Sequence, residues 1–147
     1  MAIFEKLAAK GGNVLATRAT PEVYEAVGRE YPEADYHEAA RAITFRPKGR
    51  RPRPAGHIAL VAAGTSDLPV AEEARVTAEI MDQRVTTHYD VGVAGLHRLL
   101  ARSEQLQQAN VIVVAAGMEG ALPSVVGVLV RVPVIAVPTS IGYGAGE

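Results

Sequence analysis

From residue 57 onward, apolar runs and mixed stretches alternate along the chain. His57–Ala63, Val111–Ala115 and Val134–Val137 are short and almost wholly apolar. That is the pattern of strands buried on both faces of a parallel sheet. Arg84–Tyr89 reads as a fourth strand, and Leu68–Met81, Ala94–Leu106 and Ala121–Val130 read as helices between the strands. Strands that alternate with helical stretches predict βαβ units. The helix from Ala121 is apolar on nearly every side, through Leu122, Val125, Val126, Val128, Leu129 and Val130. Such a helix needs cover on both sides. In so short a chain the second cover is expected from another subunit. Each buried Val or Leu contributes about 1.5–3 kcal/mol, so a homo-oligomer is expected.

The first part of the chain is patterned less regularly. Ile3–Ala9 predicts a helix end stopped by Gly11-Gly12, and Asn13–Thr17 a short strand. Thr20-Pro21-Glu22 is a helix start, with a hydroxyl at the N-cap and proline at the first helical position. That helix runs out near Tyr31-Pro32, and Ala34–His37 and Ala42–Phe45 are strand candidates. Arg46–Gly56 carries three prolines and repelling cations, which predicts a solvated linker. The chain thus divides into a small α/β segment at 1–46, a Pro/Arg-rich linker at 47–56 and an α/β domain at 57–147.

Composition removes several function classes. Among 147 residues, 15 Lys+Arg stand against 16 Asp+Glu, aromatics are 5% and Trp is absent. No excess charge or stacking ring invites nucleic acid, so no nucleic-acid partner is expected. Cys is absent, which excludes a disulfide or a thiolate within these residues. The four histidines show no metal-ligand spacing, and no protein-held metal is expected. The amino-terminal residues lack a signal-peptide core, and Arg131 and Pro133 interrupt the apolar Val125–Val137 stretch. A cytoplasmic protein with no membrane contact is expected.

Chemistry is sought at the strand tips, where open α/β sheets bind their ligands. Gly64-Thr65-Ser66-Asp67 follows the first strand: Gly64 permits close approach, and two hydroxyls beside helix N–H groups suit a phosphate. Asp67 can cap the helix or bind a ribose hydroxyl. After the second strand, Asp90–Arg98 places His97 and Arg98 at the head of a helix, a proton carrier beside a phosphate clamp. After the third, Ala116–Pro123 sets Glu119 among small residues including Gly117 and Gly120. A carboxylate there is poorly solvated and needs a partner or a raised pKa. After the fourth come Thr139, Ser140 and Gly142. A Ser66–His97–Asp90 hydrolase triad lacks a nucleophile-elbow sequence, and neither GxGxxG nor a P-loop occurs.

GTSDLPVAEEA (Gly64–Ala74), YDVGVAGLHRLL (Tyr89–Leu100), AGMEGALPSVVG and PVIAVPTSIGYG (Pro133–Gly144) resemble LarB, the pyridinium-3,5-biscarboxylic acid mononucleotide synthase family of nickel-pincer cofactor biosynthesis. GNVLATRATPEVYEAV (Gly12–Val27) is similar to that family's amino-terminal region. The carboxyl-terminal half is more remotely similar to PurE-type aminoimidazole ribonucleotide (AIR) carboxylases or mutases. The resemblance implies an α/β fold: a parallel sheet in a flavodoxin-like, PurE-like three-layer domain, preceded by the small α/β segment. It implies that nicotinic acid adenine dinucleotide (NaAD) is carboxylated on its pyridinium ring by CO₂ and its phosphoanhydride hydrolysed, releasing AMP, with Mg²⁺ on the pyrophosphate. Carried over by position, Asp67, His97 and Glu119 are the implied catalytic residues. Gly64, Thr65, Ser66, Arg98, Gly117, Gly120, Thr139, Ser140 and Gly142 are the implied substrate contacts. The family also continues past the Gly-Tyr-Gly loop to a cysteine nucleophile, so the resemblance implies a shortened member. Two other readings stand beside it. One is a PurE-like AIR carboxylase or mutase, whose substrate is already an enamine and needs no thiolate. The other is a non-catalytic nucleotide-binding or assembly module.

Overall fold

In a computed structural model, residues 2–49, 54–117 and 120–140 are described. The chain opens with α1 (Ala2–Ala9), β1 (Val14–Ala16), α2 (Pro21–Glu30), β2 (Asp35–His37) and β3 (Ala42–Phe45). The Thr20 hydroxyl accepts from the Val23 amide at 3.5 Å, so the expected N-cap starts α2. The three strands form an antiparallel sheet in the order β1-β3-β2, with Val14 opposite Phe45 and Tyr36 opposite Ile43. Alternation sends Val14 and Ile43 to one face, where they pack with Phe4 of α1 and Val27 of α2. Phe4 and Phe45 each meet the Tyr31 ring edge-on, at 5.3 and 5.2 Å. The opposite face presents Leu15 and Ala42.

The second part runs β4 (His57–Ala62), a 3-10 turn at Thr65–Asp67, α3 (Leu68–Ile80) and β5 (Arg84–His88). It continues through a 3-10 turn at Val93–Gly95, α4 (Leu96–Leu100), α5 (Ser103–Leu106), β6 (Val111–Ala116), α6 (Ala121–Leu129) and β7 (Val134–Pro138). The four strands make a parallel sheet in the order β5-β4-β6-β7. Because side chains alternate, Ala59, Val61, Ile112 and Val114 form a core with Leu99, Leu106, Leu122 and Val126 of α4, α5 and α6. Ala62 and Ala115 face the other way, against Ala71 of α3. Helices on both faces of a parallel sheet make the three-layer, flavodoxin-like α/β domain that the sequence predicts.

α3 has a second partner. Its Val76 packs on Ala40, Ala42 and Leu15, so the helix lies between the parallel sheet and the antiparallel one. Beside α3 a groove of about 580 Å³ opens over Ile58, Leu60, Val113 and Val137.

One expectation needs correction. Ala94–Leu106 is not one helix but a 3-10 turn followed by α4 and α5. Leu99 and Leu106 both stay fully buried across the break. Their seven-residue spacing suits a continuous helix and two short ones alike, so periodicity does not see the interruption. α6 buries Leu122 and Val126 but leaves Val128 87% exposed, so its outer side is uncovered within one chain. Among the described residues no helix is long and apolar enough to cross a membrane.

Candidate functional site

The carboxyl tips of the parallel strands are laced together by backbone. The Ala63 amide donates to the Ala115 carbonyl at 3.4 Å, Thr139 to Ala116 at 3.1 Å and Val91 to Ala62 at 3.3 Å. At Gly92 a Cβ would come within 3.1 Å of the Ala63 carbonyl oxygen, so glycine lets the loops after β4 and β5 touch.

Asp67 ties this rim side chain by side chain. It is 4% exposed. Its Oδ2 accepts the Gly64 amide at 3.1 Å, while the Asp67 amide returns a bond to the Gly64 carbonyl, closing the turn. Its Oδ1 accepts the Gly117 amide at 3.0 Å and the Thr139 hydroxyl at 2.7 Å. One carboxylate thus joins the ends of β4, β6 and β7. A buried charge is costly unless donors surround it. Here three of them do, and charge-assisted bonds of this kind are the strong ones.

Around this knot the expected substrate contacts take different places. Thr65, Ser66 and Ser140 are exposed, with hydroxyls available to a ligand. Thr139 is 2% exposed and its hydroxyl is engaged by Asp67. Gly64 and Gly117 each give an amide to Asp67, and Gly120 starts α6 in the left-handed conformation at φ 66°. The Gly120 amide donates to the Gly117 carbonyl at 3.1 Å. α3 and α6 both begin at this rim, so their positive dipole ends suit an anion there. Glu119 and Gly142 lie outside the described residues.

His97 and Arg98 sit on α4 and are exposed. Arg98 donates to Asp90 at 3.4 Å and lies across Gly95, where a Cβ would fall 2.6 Å from its Nη2. Asp90 itself is left-handed, at φ 58°. The hydrogen bonds that gather Gly64, Asp67, Gly117 and Thr139 do not extend to His97 or Arg98. Among the described residues no group of three His, Asp or Glu side chains can hold a metal ion.

Two polar features escaped the sequence reading. Tyr89 donates to Glu72 of α3 at 2.6 Å, and Arg75 holds the same carboxylate at 2.7 Å. Arg75, seconded by Tyr89, keeps Glu72 below the ordinary carboxylate value against its partial burial. Burial first, then that bond to Glu72, pushes Tyr89 up. The i, i+3 spacing of Glu72 and Arg75 signals their pair, but nothing local signals Tyr89. His88, at the end of β5, is 7% exposed with neither ring nitrogen paired. Burial, then the charges of Arg102 and His57, hold it below its usual 6.5.

Residues 57–146 match the AIR carboxylase family, and residues 1–48 match the LarB/PurE-like N-terminal domain. Uncharacterized protein MJ0165 of Methanocaldococcus jannaschii is 41% identical over 147 positions, covering 95% of this chain and 57% of that protein. The chain thus spans somewhat over half the length of the curated relative it matches. With an AIR carboxylase domain following a LarB/PurE-like amino-terminal domain, the chain belongs to the LarB-like family of PurE-related proteins.

Proposed function

We propose that this chain forms the nucleotide-binding part of a LarB-type synthase, which carboxylates the pyridinium ring of NaAD with CO₂. Hydrolysis of the phosphoanhydride then gives the biscarboxylated mononucleotide and AMP. The observation that carries the reading is the order of the two domains: the LarB/PurE-like unit at 1–48 precedes an AIR carboxylase domain at 57–146. The rim chemistry supports it. Thr65, Ser66 and Ser140, with the amino ends of α3 and α6, would take the phosphates. Gly64, Gly117 and Gly120 allow close approach, while Asp67 and Thr139 hold the loops. His97 would carry protons and Arg98 would meet phosphate. Glu119 and Gly142 join the site through the family resemblance alone.

A pyridinium ring is electron-poor and does not attack CO₂ unaided. A thiolate adduct would make the ring carbon enamine-like, but these residues contain no cysteine. The chain therefore supplies binding and orientation, and turnover needs a thiol from outside it. The lack of cysteine also favours a second reading, a PurE-like AIR carboxylase or mutase acting on a substrate that is already an enamine. A non-catalytic nucleotide-binding module is the third.

Isothermal titration separates the first two. NaAD is expected to bind the chain without turnover, and AIR to bind weakly and stay unconverted. Conversion of AIR would replace the leading reading with the second. Failure of both nucleotides to bind would remove the first two.

A further inference from the structure

α3 carries the Gly64–Asp67 loop at one end, and its other end is closed in an unusual way. The helix finishes in a Schellman motif: the Gln83 amide donates to Ala78 at 3.0 Å and the Asp82 amide to Glu79 at 3.1 Å. The residue after the cap must be left-handed, a place glycine usually takes. Here it is Asp82, at φ 62°. An L-residue in that conformation is strained, although aspartate tolerates it better than most.

The amino-terminal unit holds this end in place. The Arg46 guanidinium pairs with the Asp82 carboxylate through Nη1, and its Nη2 donates to the Glu79 carbonyl at 3.1 Å. Asn13 Nδ2 donates to the Ile80 carbonyl at 2.6 Å. The last carbonyls of a helix lack partners inside it and carry its negative dipole end. A cation and an amide donor answer both needs. Asn13 and Arg46 flank the Val14–Phe45 rung of the β1–β3 pair, so both come from one end of the same strand pair. That sheet also packs Leu15 and Ala42 on Val76, within the same helix.

We infer that Arg46, together with Asn13, is a positioning residue: it fixes the carboxyl end of α3 and thereby the Gly64–Asp67 loop at the opposite end. A helix of 13 residues is a rod of about 20 Å. Pinning its far end limits how its near end tilts against β6 and β7. The amino-terminal domain thus serves the rim through α3. The inference rests on the hydrogen bonds around α3, so it stands whichever nucleotide binds.

The test is amide hydrogen exchange on the whole chain without ligand. Arg46→Ala is expected to leave the chain folded and to speed exchange at least tenfold at Gly64 and Gly117, whose amides donate to Asp67. Asp82→Asn keeps a residue that accepts the left-handed turn but removes the charge. It is expected to reproduce the effect and stands in should Arg46→Ala not fold. Arg46→Lys, which retains the cation but not the forked donors, is expected to restore part of the protection. Acceleration confined to residues 79–83, with Gly64 and Gly117 unchanged, would overturn the inference. So would uniform acceleration across β4, β6 and α3, which reports global destabilisation.

Discussion

Asp67 does its work by being surrounded. Three donors from three loops converge on one buried carboxylate, so removing it leaves two amides and a hydroxyl without partners. An unsatisfied buried group such as the Thr139 hydroxyl costs about 1–3 kcal/mol, and the half-buried Gly64 and Gly117 amides less. Asp67→Ala is therefore expected to lower the urea midpoint strongly, and Thr139→Val, which removes a single donor, by a smaller step in the same direction. Equal midpoints for Thr139→Val and the wild-type chain would mean that the hydroxyl contributes nothing to the knot. The importance of Asp67 was legible in the sequence, from its position after a strand and a glycine. Its role was not, because two of its partners lie 50 and 72 residues away. His88 makes the complementary case. Held neutral in the folded chain below its usual 6.5, it takes a proton more readily once unfolded. The unfolded state then binds more protons, so this contribution is full above about pH 6.5 and is lost as pH falls below that value. Melting temperature followed from pH 8 to pH 5 is expected to drop less steeply in His88→Leu than in the wild type. Parallel curves would remove His88 as the cause.

Among the elements, β4 and β6 were legible almost residue by residue, because burial on both faces makes them near-continuous apolar runs. The amino end of α2 was legible for another reason: Thr20 and Pro21 are local signals that need no tertiary partner. The stretch from Ala94 to Leu106 was misread as one helix because burial of Leu99 and Leu106 constrains only their facing, not the backbone between them. α6 depends on a different local device. Its first turn is reached through Gly120 at φ 66°, a conformation that costs an L-residue about 1–2 kcal/mol. Gly120→Ala is expected to lower stability by roughly that amount, read from chemical denaturation. An unchanged midpoint would show that the turn into α6 re-forms without a left-handed residue.

At the scale of the whole molecule, α3 is the shared element. It lies against the parallel sheet through Ala71 and against the antiparallel sheet through Val76. The sequence separated these two parts by a Pro/Arg-rich stretch and gave no sign that they meet. The apolar part of their contact is made by Leu15, Ala40, Ala42 and Val76, whose pattern fits any buried surface. The rim was legible because chain order sets it: every parallel strand delivers its following loop to the same edge. Which side chains at that edge face outward was not, since Thr139 and Ser140 are neighbours of similar chemistry. Yet one is 2% exposed and the other open to solvent.

Backbone amide shifts recorded while NaAD is added test where the nucleotide sits. Binding at the sheet's carboxyl edge predicts saturable shifts at Thr65, Ser66, Gly117 and Ser140, with Leu60, Thr77 and Met81 along the groove beside α3 unmoved. Shifts that instead follow the groove, while the amides around Asp67 stay still, would contradict the account.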